Sequence, residues 1–231
     1  MRILALETST LTGGVALLDG DCLLAEYTLS VRTTHSERLM AAVDRLLNDS
    51  GWGVETLEGV AVSIGPGSFT GLRIGVSTAK GLGMALGIPL VGVPTLDALA
   101  ALLPHASDPV CPILDAKKGE LYTSLFHWEG GRMVRDWEYL ALTPEDLCSR
   151  LSGSVIFVGD GVGAFGDLLG RALGVRAKLA PPGRRLPSAA CVAQLGHDRL
   201  LSGETVEPAR LTPLYIRPSE AELKRRARLF H

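Results

Sequence analysis

The feature of this chain that most restricts its fold is a strand plan written twice. The first thirty residues read as an apolar strand, ILALE, a turn at residues 10–13, a second strand GGVALL, a turn at 19–21, and a third strand CLLAEYTL. From Cys111 the plan returns as CPILD, a turn at 116–119, ELYTSLF, a turn at 130–131, and RMVRDWEYL. Apolar runs of this length bounded by Gly, Asp and Thr turns are the mark of strands. Each first strand ends in a carboxylate, Glu7 and Asp115. The copies share a pattern and no residues to speak of, so two unrelated meanders would leave the same trace. Read as a repeat, the plan predicts an α/β fold of two duplicated halves, parted at PHASDP, with domains at 1–107 and 108–231.

Helical and strand segments follow each meander. Thr34 and Glu37 form a capping pair opening a helix that runs to Asp49, with Gly51 placed to end it. Its apolar positions Leu39, Met40, Val43, Leu46 and Leu47 form one stripe. GVAVSI is then a strand, residues 71–87 a helix, PLVGV a strand, and residues 95–103 a helix with Thr95 as its cap. In the second half a helix follows Thr143 and Pro144, SVIFVGDG is a strand into a turn, residues 163–173 are helical, and another helix starts at Ser188.

At 231 residues, 46% of them hydrophobic and 21% charged, the chain can build a substantial core. A net charge of −2 gives no broad nucleic-acid or membrane footprint. Cys22, Cys111, Cys148 and Cys191 are widely spaced, with no CxxC pair, and read as reduced thiols. Glu7 interrupts the opening apolar run before a signal sequence can form, and Pro89, Pro94 and Asp97 break the most apolar later stretch. A cytoplasmic protein with no membrane contact is expected.

The stretch SIGPGSFTGLRIGVSTAKGLG, residues 63–83, passes from strand to glycine-rich loop to helix. That arrangement often holds phosphate, yet this loop fails both phosphate patterns. GxxxxGK would need glycine at Thr70 or Leu72, and GxGxxG fails again at Thr70. Pro66 removes a backbone donor, which leaves the amides of Gly67, Ser68 and Phe69 as a weak anion cradle. In the helix, Gly71, Gly75, Ala79, Gly83 and Gly87 recur every four residues. Each helical glycine costs about 0.5–1 kcal/mol against alanine, so a close backbone approach must repay them. The neighbour is either the chain's own sheet or a second protein; residue chemistry leaves both open.

GPGSFTGLRIG, residues 65–75, resembles the signature of the TsaB/YeaZ family, bacterial proteins needed for threonylcarbamoyladenosine modification of tRNA. ILALETST, THSERLM, LDAKKGELYTSLF, GDG at 159–161 and PLYIRPSEAE at 213–222 resemble the family's other landmarks, in order. The resemblance implies the duplicated actin-like ATPase fold (ASKHA, ribonuclease H-like) shared with sugar kinases and chaperone ATPases. It also implies kinship with TsaD, the catalytic paralogue that binds metal and nucleotide.

The departures from that paralogue bear on chemistry. TsaD-like proteins hold metal with an HxxxH pair on a helix. Here His35 stands at the start of such a helix, but position 39 is Leu39, and His105, His127, His197 and His231 form no i,i+4 pair. A metalloprotease lacks its ligands for the same reason. Glu7 and Asp115 stand where nucleotide-hydrolysing relatives organise magnesium, but Lys117, Lys118 and Glu120 crowd Asp115. Both carboxylates are read as structural. The basic run Lys224, Arg225, Arg226 and Arg228 is read as a solvated terminus, with a tRNA phosphate contact as the alternative.

The resemblance therefore implies a non-catalytic scaffold that pairs with a TsaD-like paralogue, is joined by a TsaE-like ATPase, and meets tRNA only through that complex. Alone, it would pair with a second copy. No cofactor of its own is expected beyond weak ATP or ADP binding; metal and nucleotide belong to the partner. A small-molecule kinase or ATPase of the same fold is the alternative. The expected partner interface comprises His35, Leu39, Met40, Val43, Leu46 and Leu47 on the first helix, with Gly71, Leu72, Gly75, Ala79 and Gly83 on the second.

Overall fold

A computed structural model of the chain describes residues 1–30 and 35–217. Strands β1 (Arg2–Glu7), β2 (Thr12–Asp19) and β3 (Cys22–Ser30) form the first meander. Helix α1 (His35–Ser50), β4 (Gly59–Gly65), α2 (Phe69–Leu86), β5 (Leu90–Pro94) and the short α3 (Thr95–Ala100) follow. The second half opens with β6 (Val110–Lys117) and β7 (Glu120–Thr123), a hairpin of β8 (Phe126–Glu129) and β9 (Arg132–Arg135), and β10 (Leu140–Leu142). It continues through α4 (Pro144–Arg150), β11 (Val155–Val158), α5 (Gly161–Leu173), β12 (Ala177–Leu179) and α6 (Ala189–Leu201).

The two sheets share one topology. The first has the order β3-β2-β1-β4-β5, and the path through the second is β10-β7-β6-β11-β12. In each, the opening strand is central, pairs antiparallel with its hairpin partner on one side, and parallel with a later strand on the other. The duplicated α/β plan is therefore real. One detail differs from the sequence reading: the third strand of the second meander is β10, not the run beginning at Arg132. Ser124 breaks the second strand by turning its Oγ to the carbonyl of Trp137 (2.7 Å), and residues 126–135 become an extra hairpin whose Phe126 pairs with Val110.

Helix ends follow local chemistry. Ser68, Thr143 and Ser188 cap α2, α4 and α6 through their side-chain oxygens, and Gly87 closes α2 in the left-handed conformation at φ 67°. Thr95 is not a cap. It is the first residue of α3, Pro94 precedes it without a side-chain bond, and the buried Thr95 hydroxyl has no partner among the described residues. Of the expected capping pair, Thr34 and the side chain of Glu37 lie outside what is described, as does the basic run at Lys224, Arg225, Arg226 and Arg228.

Helix α6 does not follow the division expected at 107/108. Although its residues come late, it packs on the first sheet: Ala189, Val192, Ala193 and Leu200 share a core with Ile3, Ala5, Ala61, Val91 and Val93. The approach is close, since a Cβ on Gly196 would stand 2.3 Å from the Cβ of Ala61. On the other face of that sheet, Leu39, Val43, Leu46 and Leu47 of α1 pack with Val76 and Ala79 of α2 over Leu4, Leu6, Val60 and Val62. The sheet is covered on both sides, which is why β1 and β4 read as near-continuous apolar runs.

Candidate functional site

The glycine loop rests on the turn that follows β1. Ser68 donates its amide to the carbonyl of Ser9 at 2.6 Å, and a Cβ on Gly67 would stand 2.2 Å from that same oxygen. Only glycine allows that approach. Ser68 then caps α2 by accepting the Gly71 amide on its Oγ (3.3 Å), while its carbonyl takes the amide of Leu72 (2.9 Å). Of the three amides that the sequence offered to an anion, the one on Ser68 is therefore committed to the fold.

The small-residue stripe faces inward. Gly71, Leu72, Gly75, Ala79 and Gly83 are all buried. Thr8 donates its hydroxyl to the Gly71 carbonyl at 2.8 Å, and a Cβ on Gly75 would fall 2.3 Å from Thr8 Oγ1. One on Gly83 would fall 2.5 Å from Leu90 Cδ2. The close approach that the glycines require is thus to this chain's own Thr8, just past β1, and to β5. As an exposed docking surface, the stripe is corrected by these contacts.

The same correction applies to most of α1. Leu39, Val43, Leu46 and Leu47 are core residues, and of the apolar positions named there only Met40, 49% exposed, faces outward. The His35 side chain lies outside the described residues. The outward face of α2 carries Phe69, Arg73, Ser77 and Met84, with Met84 73% exposed. Sequence reasoning missed these residues because it followed the glycines. The signal was available in the polar positions Arg73 and Ser77, which mark the opposite side of the same helix.

Phe69 and Arg73 extend this face into a cluster with Tyr215. The Tyr215 ring stacks on Phe69 with centroids 5.3 Å apart, and the Arg73 guanidinium lies 3.9 Å from the Phe69 centroid. Arg73 Nε donates to Tyr215 Oη at 3.2 Å. Nothing in the helix periodicity could reveal this, because Tyr215 arrives from the far end of the chain.

The two strand-end carboxylates are differently housed. Glu7 is fully buried, and its Oε1 accepts both the amide (2.6 Å) and the hydroxyl (2.5 Å) of Ser9. Ser63 lies beside the same carboxyl, but Oε2 makes no hydrogen bond among the described residues. Burial pushes its pKa up to about 7, against the lowering effect of Ser9. Asp115 is instead bound by Lys117, whose amide and Nζ reach its two oxygens at 2.8 and 2.6 Å. The Asp115 amide donates to Asp160 Oδ1 at 3.2 Å, and burial raises the Asp160 pKa. Glu120 turns to Arg217. Lys117 thus crowds Asp115 as the sequence predicts. Among the described residues no three His, Cys, Asp or Glu side chains are arranged to hold a metal ion.

A family model described as TsaD, tRNA N6-adenosine threonylcarbamoyltransferase, matches residues 23–223. The chain is 34% identical over 227 residues to the tRNA threonylcarbamoyladenosine biosynthesis protein TsaB of Bacillus subtilis, covering 97% of each. The solved structure of YeaZ from Pseudomonas aeruginosa superimposes with a TM-score of 0.78 at 26% identity, over 93% of this chain and 99% of that one. A ROK hexokinase from Thermus thermophilus, at 14% identity and a TM-score of 0.51 over 88% of this chain and all of its own, shares the fold alone. No helix among the described residues is long and apolar enough to cross a membrane.

Proposed function

Because this chain belongs to the TsaB/YeaZ family, we propose that it serves tRNA threonylcarbamoyladenosine biosynthesis as a non-catalytic partner of a TsaD-like paralogue. The observation that carries this reading is Leu39. An HxxxH pair begun at His35 would need its second ligand at position 39, and the side chain there is a leucine 6% exposed, packed with the core. Replacing it with a metal-binding histidine would bury a polar ring in an apolar layer. The committed Ser68 amide and the Lys117-bound Asp115 likewise favour a scaffold over a phosphate-handling enzyme.

On this reading, the paralogue docks on the outward side of α1 and α2, at Met40, Phe69, Arg73 and Met84. Two helices of 16 and 18 residues are long enough to supply one side of a standard interface, roughly 800 Å². A TsaE-like ATPase joins the assembled pair, nucleotide and metal reside in the paralogue, and tRNA is met through the complex. In the paralogue's absence, the same face receives a second copy of this chain. Co-purification with the cognate TsaD-like protein tests the assignment. Met84→Asp should weaken pairing at least about tenfold, as loss of a buried interface anchor does, with an unchanged melting temperature. Full affinity in that variant and in Met40→Asp together would overturn the docking face. Robust ATP turnover by the isolated chain, abolished by Asp115→Ala, would overturn the scaffold reading in favour of a kinase-like enzyme.

A further inference from the structure

Residues 211–217 make a crossing that meets the proposed docking face at one edge only, where Tyr215 rests on Phe69 and Arg73. The segment is anchored in the first half, where Leu211 is 3% exposed and packs with Leu90 and Val206. It then runs over the end of β4: Leu214 donates its amide to the carbonyl of Ile64 at 2.7 Å. A Cβ on Gly65, which sits at φ 114°, would stand 2.8 Å from the Leu214 carbonyl oxygen. Tyr215 clips onto the first turn of α2 through Phe69 and Arg73. Arg217 finally reaches the second half and pairs with Glu120, the first residue of β7, beside the carboxyl end of β6.

The segment therefore touches the carboxyl ends of the central parallel strands of both sheets. In open α/β folds the crevice outside those ends is where ligands enter. The chain already passes between the halves twice, after α3 and before α6, and Asp97, itself held by Arg199 within the first half, ties them again by accepting from Tyr139 Oη (2.7 Å). Those links are partly buried. The Arg217–Glu120 pair is less so on its arginine side, which is 39% exposed against 18% for Asp97, so water and salt compete for it there.

We propose that residues 211–217 are a releasable clasp that holds the crevice between the two halves at a fixed width. Its core-anchored end at Leu211 stays in place, and its outer end, from Leu214 to Arg217, is the part that lets go. Release frees the second half to swing about the covalent crossings and bares the end of β4.

Distances between spin labels on Cys22 in the first half and on Val175→Cys in the second, with Cys148 and Cys191 replaced by serine, report the width. Arg217→Glu sets two carboxylates against each other. It should raise the population of longer distances about two- to fivefold, the range an exposed ion pair commands, and speed hydrogen exchange at the Leu214 amide. Adding Glu120→Arg should restore both. If the reversed variant does not fold, Arg217→Gln must widen the distances in the same direction. An unchanged distribution in the single variant, or a widened one that the charge swap fails to restore, overturns the clasp.

Discussion

The two halves of this protein are built on one strand plan and spend it differently. In the first, β1 ends in a carboxylate sealed from water, and the helices that follow are 16 and 18 residues long. In the second, the equivalent β6 carries near its end a carboxylate bound to an exposed lysine, and the corresponding helices, α4 and α5, have 7 and 13 residues. The glycines diverge as well. Gly75 and Gly83 of α2 are pressed on Thr8 and Leu90, whereas a Cβ added to Gly163 or Gly170 of α5 would meet nothing within 4 Å. The duplicated architecture thus tolerates shorter helices in one half, while the longer helices of the other expose Met40, Phe69 and Met84 among polar neighbours. Surplus length, beyond what covers a sheet, is the raw material for a partner surface.

The contrast breaks most sharply at Gly75. A leucine there has its Cβ within van der Waals collision of Thr8, so Gly75→Leu should cost about 3 kcal/mol or more and lower the melting temperature by roughly ten degrees. A variant that melts like the parent but no longer pairs would return the stripe to the surface. A smaller effect is expected at Glu7. Its folded pKa of about 7 lies above the ordinary 4.5, so the native state binds more protons than the unfolded chain between those values. The stability this lends is fully present below about pH 4.5 and is lost as pH rises through 7, a swing of order 3 kcal/mol. Urea midpoints should therefore fall more steeply between pH 5 and pH 8 for the parent than for Glu7→Gln. Parallel slopes would show that the carboxyl is not sealed. Least of all, Gly170→Ala in the open stretch of α5 should raise stability by about 0.5–1 kcal/mol; a loss would mean that this glycine, too, is packed.

Much of this architecture could be read from the chain because each strand carries its own signal. ILALE and CPILD are apolar up to their closing carboxylates because both faces of their sheets are covered, and Thr143 and Ser188 announce helix starts by their chemistry. The facing of α2 could not be read the same way. A four-residue repeat of glycines states that something comes close, and Thr8 and Leu90 are brought there only by the register of β1 with β4 and of β4 with β5. The three-residue β10 carries too few residues to alternate, and Tyr215 meets Phe69 from the opposite end of the sequence, beyond any local pattern.

The return of α6 to the first sheet has a consequence for synthesis on the ribosome. The face of that sheet formed by Ile3, Ala5, Ala61 and Val91 is finished once β5 emerges, but its cover begins only at Ala189. At ordinary elongation rates the intervening stretch takes roughly 5–20 s to make, a long interval for an apolar surface to wait in water. The amino-terminal half cannot therefore mature as an independent unit while the rest is translated. Completion of the fold waits on nearly the whole chain, and a nascent product that stalls before α6 presents a bare sheet to chaperones and proteases.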